Sequence, residues 1–160
     1  MFLKSESVSE YYLCRNRGQM TEIKKFTFDR KDLMHISNEI RRVVFIEEQR
    51  VAAEIEYEYE EEGHYYLLYH EGNPIATARW RSTSKGIKLE RFAMLKTFRN
   101  KGLGSVLLQE VLNDVVPLGK EIYLHSQVVA VNYYKRAGFR EYGGHFTEAD
   151  IEHVLMKYSK

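Results

Sequence analysis

Apolar residues recur at helical spacing in two main stretches and alternate at strand spacing in several others. Leu103, Leu107, Val111 and Val115, with Leu108 and Leu112 widening the stripe, predict an amphipathic helix. Leu33, Ile36, Ile40 and Val43 or Val44 predict a second, with Arg41 and Arg42 on its polar face. Its start reads at Asp29 to Asp32, an Asp cap with another Asp three residues on, and its end falls around Phe45 to Gln49. Strands are predicted at Ile23 to Phe28, His64 to His70, Pro74 to Arg81, Lys88 to Leu95, Glu121 to Gln127, from Phe139 onward, and at His153 to Tyr158. Glu71-Gly72-Asn73 and Ser82 to Gly86 are turns that make the middle strands a meander. Ala130 to Ala137 is a short helix closed by Gly138, and Thr147 to Asp150 reads as a turn or a single helical turn. The order is mixed α/β, on a sheet that is antiparallel in its first half.

Residues 1–19 are polar and weakly periodic, an extension that is either flexible or a short helix around Glu10 to Cys14. A single domain is expected from Met20 to Lys160. The chain has 160 residues, of which 44% are hydrophobic, which is enough for one packed core. Net charge is +1 with both signs interspersed, against the basic face of a nucleic-acid protein. The single cysteine, Cys14, allows no intramolecular disulfide and fits a reducing, cytoplasmic setting. No apolar run reaches membrane-spanning length. The tyrosines and tryptophan at Tyr65, Tyr66, Tyr69 and Trp80 read as core, with a homodimer face as the alternative.

Candidate chemistry concentrates between the strand at Leu89 to Leu95 and the helix from Leu103. The connection Arg99-Asn100-Lys101-Gly102-Leu103-Gly104-Ser105 places two glycines and two cations at a helix start. Bare N–H groups and the positive helix end make such a place an anion site suited to a pyrophosphate. A turn that uses glycine only for its φ angles is the plain alternative. The spacing fits neither the mononucleotide P-loop nor the dinucleotide fingerprint, since position 107 is Leu.

Arg99 to Gly104 matches the Arg/Gln-x-x-Gly-x-Gly/Ala signature of the GNAT acyltransferases, and Tyr133-Tyr134-Lys135-Arg136-Ala137-Gly138-Phe139 resembles that family's second signature. Val44 to Gln49 and Phe146 to His153 resemble its ElaA/YjcF-like branch. The resemblance implies a GNAT-type α/β fold: a mixed, mostly antiparallel sheet flanked by helices, with two strands splayed at the cofactor site. It implies acetyl-CoA as acyl donor and an amine, small or on a protein, as acceptor. The alternative is a module that binds acetyl-CoA without catalysis, as a sensor or regulatory subunit.

By the same resemblance, pantetheine lies along the main chain of Phe92, Ala93 and Met94, and pyrophosphate on the N–H groups of Asn100, Lys101, Gly102, Leu103, Gly104 and Ser105 beside Arg99. Tyr134 takes the family's position for protonating the departing thiolate. Glu90 and His125 are the candidate bases, each equally explained as a solvent-facing strand residue. Phe45, Glu48 and Gln49 are acceptor-side candidates or plain helix-end residues. Glu54 to Glu62 holds six glutamates in nine residues, read as a solvated loop, with a negative rim for a cationic amine as the alternative. Arg79 and Arg81 are expected on a solvated sheet face. His64, His145 and His153 lack ligand spacing, and no metal is expected. A chain beginning at Met20 should keep its melting temperature; a large drop would show that residues 1–19 belong to the domain.

Overall fold

A computed structural model describes residues 12–16 and 19–159, with side chains described from Met20 onward. Eight strands form one sheet in the order β1-β2-β3-β4-β5-β6-β8-β7. The strands are β1 (Tyr12–Asn16), β2 (Gln19–Thr27), β3 (His64–His70), β4 (Asn73–Thr83), β5 (Gly86–Met94), β6 (Ile122–Gln127), β7 (Phe139–Glu148) and β8 (Ile151–Tyr158). The helices are α1 (Lys31–Arg41), α2 (Ala53–Glu56), α3 (Leu103–Val115) and α4 (Val131–Arg136). Every strand junction is antiparallel except β5 with β6. The short helix weighed for Glu10 to Cys14 is not formed where the chain is described. Tyr12–Asn16 is an edge strand paired to β2, and Glu10 lies outside the described residues.

The predicted apolar stripes bury as two layers, one on each face of the sheet. Leu107, Leu108, Val111, Leu112 and Val115 of α3 pack against Leu68, Ala76, Ala78, Leu89 and Leu124. Leu33, Met34 and Ile40 of α1 pack against Phe26, Tyr65, Leu67 and Ala93 on the other side. Tyr65 and Tyr66 are buried and Trp80 is nearly so, so these aromatic residues belong to the core. Tyr66 Oη donates to Asp114 at 2.6 Å and receives the Trp80 indole N–H at 3.1 Å, which satisfies both polar tips inside the apolar layer.

Two local expectations fail for physical reasons. Asp29 does not cap α1: the residue before the helix is Arg30, and no side chain caps the first N–H groups. Asp29 instead accepts from Thr27 Oγ1, and Asp32 binds Arg30. Arg41 is not on the polar face. It is fully buried, with Nε 2.6 Å from Glu56 Oε1, Nη1 2.6 Å from Glu60 Oε1 and Nη2 2.6 Å from the Glu56 carbonyl. Arg42 stays half-exposed beside Glu39 and Glu47.

The functional geometry begins where β5 meets β6. They pair at Ile87↔Ile122 and Lys88↔Tyr123, and then the strands diverge. Gly86 permits the start of that pairing, with φ +128° and a backbone so close that a Cβ would collide with the Glu121 carbonyl. The Ile87 N–H then donates to that carbonyl at 2.8 Å. No helix among the described residues is long and apolar enough to cross a membrane.

Arg41→Met would leave the Glu56 carboxylate and carbonyl buried without their main donor. Removing one partner of a buried pair costs about 3–5 kcal/mol. Urea denaturation should show a loss in that range, and an unchanged midpoint would show that the acidic segment is held by other means.

Candidate functional site

The chain after α1 does not simply stop. It widens into a π-helical turn over Arg42–Glu48, closed by Val51 N–H to Phe45 O at 2.9 Å. Such wide turns shift side chains off the ordinary helical register and often mark functional sites. Here Phe45 and Gln49 face a cavity of about 250 Å³ at the splay between β5 and β6. Glu48 is placed elsewhere: its carboxylate lies 2.9 Å from an Arg99 guanidinium nitrogen, beside the glycine-bearing loop. Across the opening, Gln127 Nε2 donates to Gln49 Oε1 at 2.8 Å.

The acidic stretch is not a solvated loop throughout. Glu54, Glu58 and Glu61 are exposed, whereas Glu56 is buried at 2% exposure between arginines. Arg91 Nε lies 3.1 Å from Glu56 Oε2 and also donates to the Ile55 and Glu56 carbonyls. Arg79 reaches the Glu58 carbonyl at 2.7 Å. These bonds draw residues 55–59 over the cavity, which Ile55, Glu56, Glu58 and Tyr59 help to line.

Arg91 reaches this position because β5 bulges. The register slips between Thr77 and Arg79, and Arg91 sits at φ +57°, a conformation rare for residues bearing a Cβ. Nothing in the local sequence marks it. Arg79, expected at a solvated face, is fully buried, and Arg81 is largely so. Both bind Glu90 Oε1, at 2.9 and 2.7 Å, while Lys88 Nζ stands 3.4 Å from Glu90 Oε2. Burial alone would raise the Glu90 carboxyl, but Arg79, Lys88, Arg91 and Arg81 outweigh it and hold it below the ordinary carboxylate range. Glu90 therefore lines the cavity as the shared anion of a cationic cluster, a poor proton acceptor near neutrality.

His125, the other candidate base, lines the same cavity. Its Nδ1 is 3.0 Å from Glu148 Oε1, a partner on β7 that the sequence did not single out. His153 is buried on β8 with Nδ1 2.7 Å from the Ile151 carbonyl, while His145 binds Glu152 and His64 stacks on Trp80. Tyr134 lines the cavity from α4, its ring edge-on to Phe92 at 6.2 Å. Its hydroxyl has no protein partner among the described residues, and burial pushes its pKa up, so it remains protonated near neutrality.

The glycine-bearing loop leaves the start of α3 open. Gly102 precedes α3 at φ +78°, and nothing lies within 4 Å of where its Cβ would be, so the approach is open. Asn100 is also left-handed, at φ +62°. The Ser105 N–H turns back to Gly102 O at 3.2 Å, leaving the N–H groups of Leu103 and Gly104 ahead of the first helical hydrogen bond. Lys101 and Ser105 are exposed here. Arg99 is partly committed, its Nε donating to the Met94 carbonyl at 2.8 Å. Tyr133 Oη donates to Gly104 O at 2.6 Å, which ties the start of α3 to α4 beside Tyr134. Phe92, Ala93 and Met94 end β5 past the point where β6 has left it, so their main chain has no strand partner on that side.

The sequence profile described as the acetyltransferase (GNAT) domain matches residues 34–160. Among curated proteins, YyaT of Bacillus subtilis, described as uncharacterized, is 36% identical over 128 residues, 77% of this chain and 86% of its own. The B. subtilis protein described as the uncharacterized N-acetyltransferase YjcF is 33% identical over 120 residues, 73% of this chain and 86% of its own. In fold, the crystal structure of Escherichia coli ElaA superposes with a TM-score of 0.78 at 18% identity, covering 88% of this chain and 100% of that one.

The Glu90 cluster predicts a pH signature. A carboxyl held below its unfolded value, near 4.5, contributes stability that is present above that value and lost as pH falls through the lower folded one. Glu90→Gln should therefore be less stable than the wild type at pH 7, with the difference shrinking below about pH 4.5. Thermal melts of both proteins across pH 3–7 check this, and a difference independent of pH would remove the electrostatic explanation.

Proposed function

Because the chain belongs to the GNAT acetyltransferase family and is an acyltransferase, we propose that it transfers the acetyl group of acetyl-CoA to an amine by direct attack in a ternary complex. The observation that carries this reading is the divergence of β5 from β6. It opens one cavity that unpaired β5 main chain, the Tyr134 hydroxyl and the His125 ring share.

The residues present fit the donor. The open approach at Gly102 and the N–H groups of Asn100 to Gly104 suit a pyrophosphate, with Lys101 adding charge. The Arg99–Glu48 pair braces this loop against the π-helical turn. Phe92, Ala93 and Met94 offer main-chain groups to an extended amide arm, as an added strand would use them. The thioester supplies an acyl carbon activated toward attack.

Within the cavity three groups divide the work. The N–C bond forms as the C–S bond breaks. A cationic amine first sheds one proton to solvent and attacks as the neutral amine. His125 then takes the second proton that this nitrogen loses, and Tyr134 gives its hydroxyl proton to the sulfur. Solvent then takes the proton from His125 and restores that of Tyr134, so no charge accumulates. Main-chain N–H groups of Phe92 to Met94 polarise the carbonyl. Glu90, fixed by its arginines, acts on this site through its field rather than as the base. Phe45 and Gln49 form the acceptor side, and the exposed Glu58 contributes negative charge for a cationic amine.

A thermal shift with acetyl-CoA tests the reading, since a ligand that binds only the folded state raises the melting temperature with concentration. The wild type should shift and Gly102→Glu should not, because the substitution puts a carboxylate and a left-handed strain into the cradle. Thiol release with a panel of primary amines should then identify an acceptor. No shift at millimolar acetyl-CoA, or no thiol release with any amine, would overturn the proposal.

A further inference from the structure

His125 lines the cavity, and only one of its two ring nitrogens is engaged. Nδ1 lies 3.0 Å from Glu148 Oε1, and Nε2 has no partner among the described residues. An ionised carboxylate can only accept, so this bond requires the proton on Nδ1. Glu148 is held ionised: its hydrogen bond to His125, against partial burial, lowers its carboxyl below the ordinary range. The placement of Glu148 comes from an unusual turn. β7 and β8 are joined through Ala149 and Asp150, at φ +50° and +61°, both residues with a Cβ in the left-handed region. The pairing Glu148↔Ile151 closes that hairpin, and Glu148, Ala149 and Ile151 all line the cavity. Strained backbone of this kind persists where the surrounding structure requires it, often at functional sites.

The neighbours leave Glu148 as the one carboxylate bonded to this imidazole. On β5, Lys88 is paired with Glu90, whose other oxygen is taken by Arg79 and Arg81. On β8, His153 turns its Nδ1 to the Ile151 carbonyl. On β6 and β7, Tyr123 and Phe146 flank the ring, the latter edge-on at 5.0 Å. We propose that Glu148 is a positioning residue that fixes His125 in the Nδ1–H tautomer and so presents a bare Nε2 to the cavity as its proton acceptor. The inference deepens the acyl-transfer reading of this cavity and rests on it for the catalytic consequence. The tautomer itself is independent of that reading. A free imidazole favours the opposite tautomer, with the proton on Nε2, which would face the amine with a donor instead of an acceptor.

Long-range nitrogen–proton NMR of the uniformly labelled full chain, above the pH at which its histidines are charged, reads the tautomer directly, with His125→Gln assigning the signal. The wild type should show His125 protonated at Nδ1. Glu148→Leu should move the proton to Nε2, and Glu148→Gln, which keeps an acceptor oxygen, should restore Nδ1–H. A wild-type ring protonated at Nε2, or a Glu148→Leu spectrum like that of the wild type, overturns the inference. The wild-type spectrum alone decides the matter if the Leu variant does not fold. With an amine that releases thiol from acetyl-CoA, Glu148→Leu should lower kcat by about tenfold or more while the KM for acetyl-CoA stays within about twofold, and Gln should recover part of the loss. If no amine is acetylated the proposed reaction fails, while the spectrum still answers for Glu148 and His125.

Discussion

The parting of β5 from β6 is the constraint on which the rest of the site depends. Two residue pairs join these strands before they separate, at the only parallel junction of the described sheet. A strand that leaves its neighbour inside a sheet exposes main-chain donors and acceptors that must find other partners. Here some find side chains, as the Met94 carbonyl finds Arg99. The rest border a cavity that can hold an extended ligand. Gly86 sets the close contact from which the divergence starts. The β5 bulge at Arg91 then turns the outgoing strand so that its side chains serve both the cavity and its cover.

That cover is held by charge. Ile55 and Tyr59 stay exposed, so little apolar burial holds residues 55–59 in place. Arg41 from α1, Arg79 from β4 and Arg91 from β5 converge on the Glu56 carboxylate and on the carbonyls of Ile55, Glu56 and Glu58. A buried arginine is tolerable when its donors are satisfied this fully, and Arg41 meets the condition with two carboxylates, a carbonyl and the Asn38 amide. Arg79, with Arg81 and Lys88, also fixes Glu90, leaving the cavity with one face of neutralised charge and another formed by His125, Glu148 and Tyr134. The division suits acyl transfer, in which one group accepts a proton while another donates one.

The pattern of residues was enough to place α1, α3, the β3–β5 meander and the closing helix of Tyr133 and Tyr134, because each rests on local periodicity or turn chemistry. The glycine-bearing loop was legible for the same reason: helix-start geometry is a property of a few consecutive residues. Tyr134 is a candidate through the family signature and His125 through its place on a predicted strand beside β5, and the structure brings both to one cavity. Charged residues were harder to place. Arg79 and Glu56 are expected in solvent because charge on a strand or loop usually goes there, yet both are buried. Glu48, an acceptor-side candidate by family resemblance with a plain helix-end residue as the alternative, pairs with Arg99.

The sequence by itself determined most of the alternation of helices and strands, the glycine-bearing turn before α3 and the family signatures, since each is carried by a few consecutive residues. Only the tertiary structure decided which polar and charged side chains meet. Arg41 with Glu56, Glu48 with Arg99 and His125 with Glu148 are separated by 15, 51 and 23 positions. No spacing rule links such pairs. The π-helical turn and the left-handed Ala149–Asp150 turn aim Glu48 and Glu148 at their partners, and for the buried Arg41 and Glu56 a low-dielectric interior requires each charge to find its counterpart.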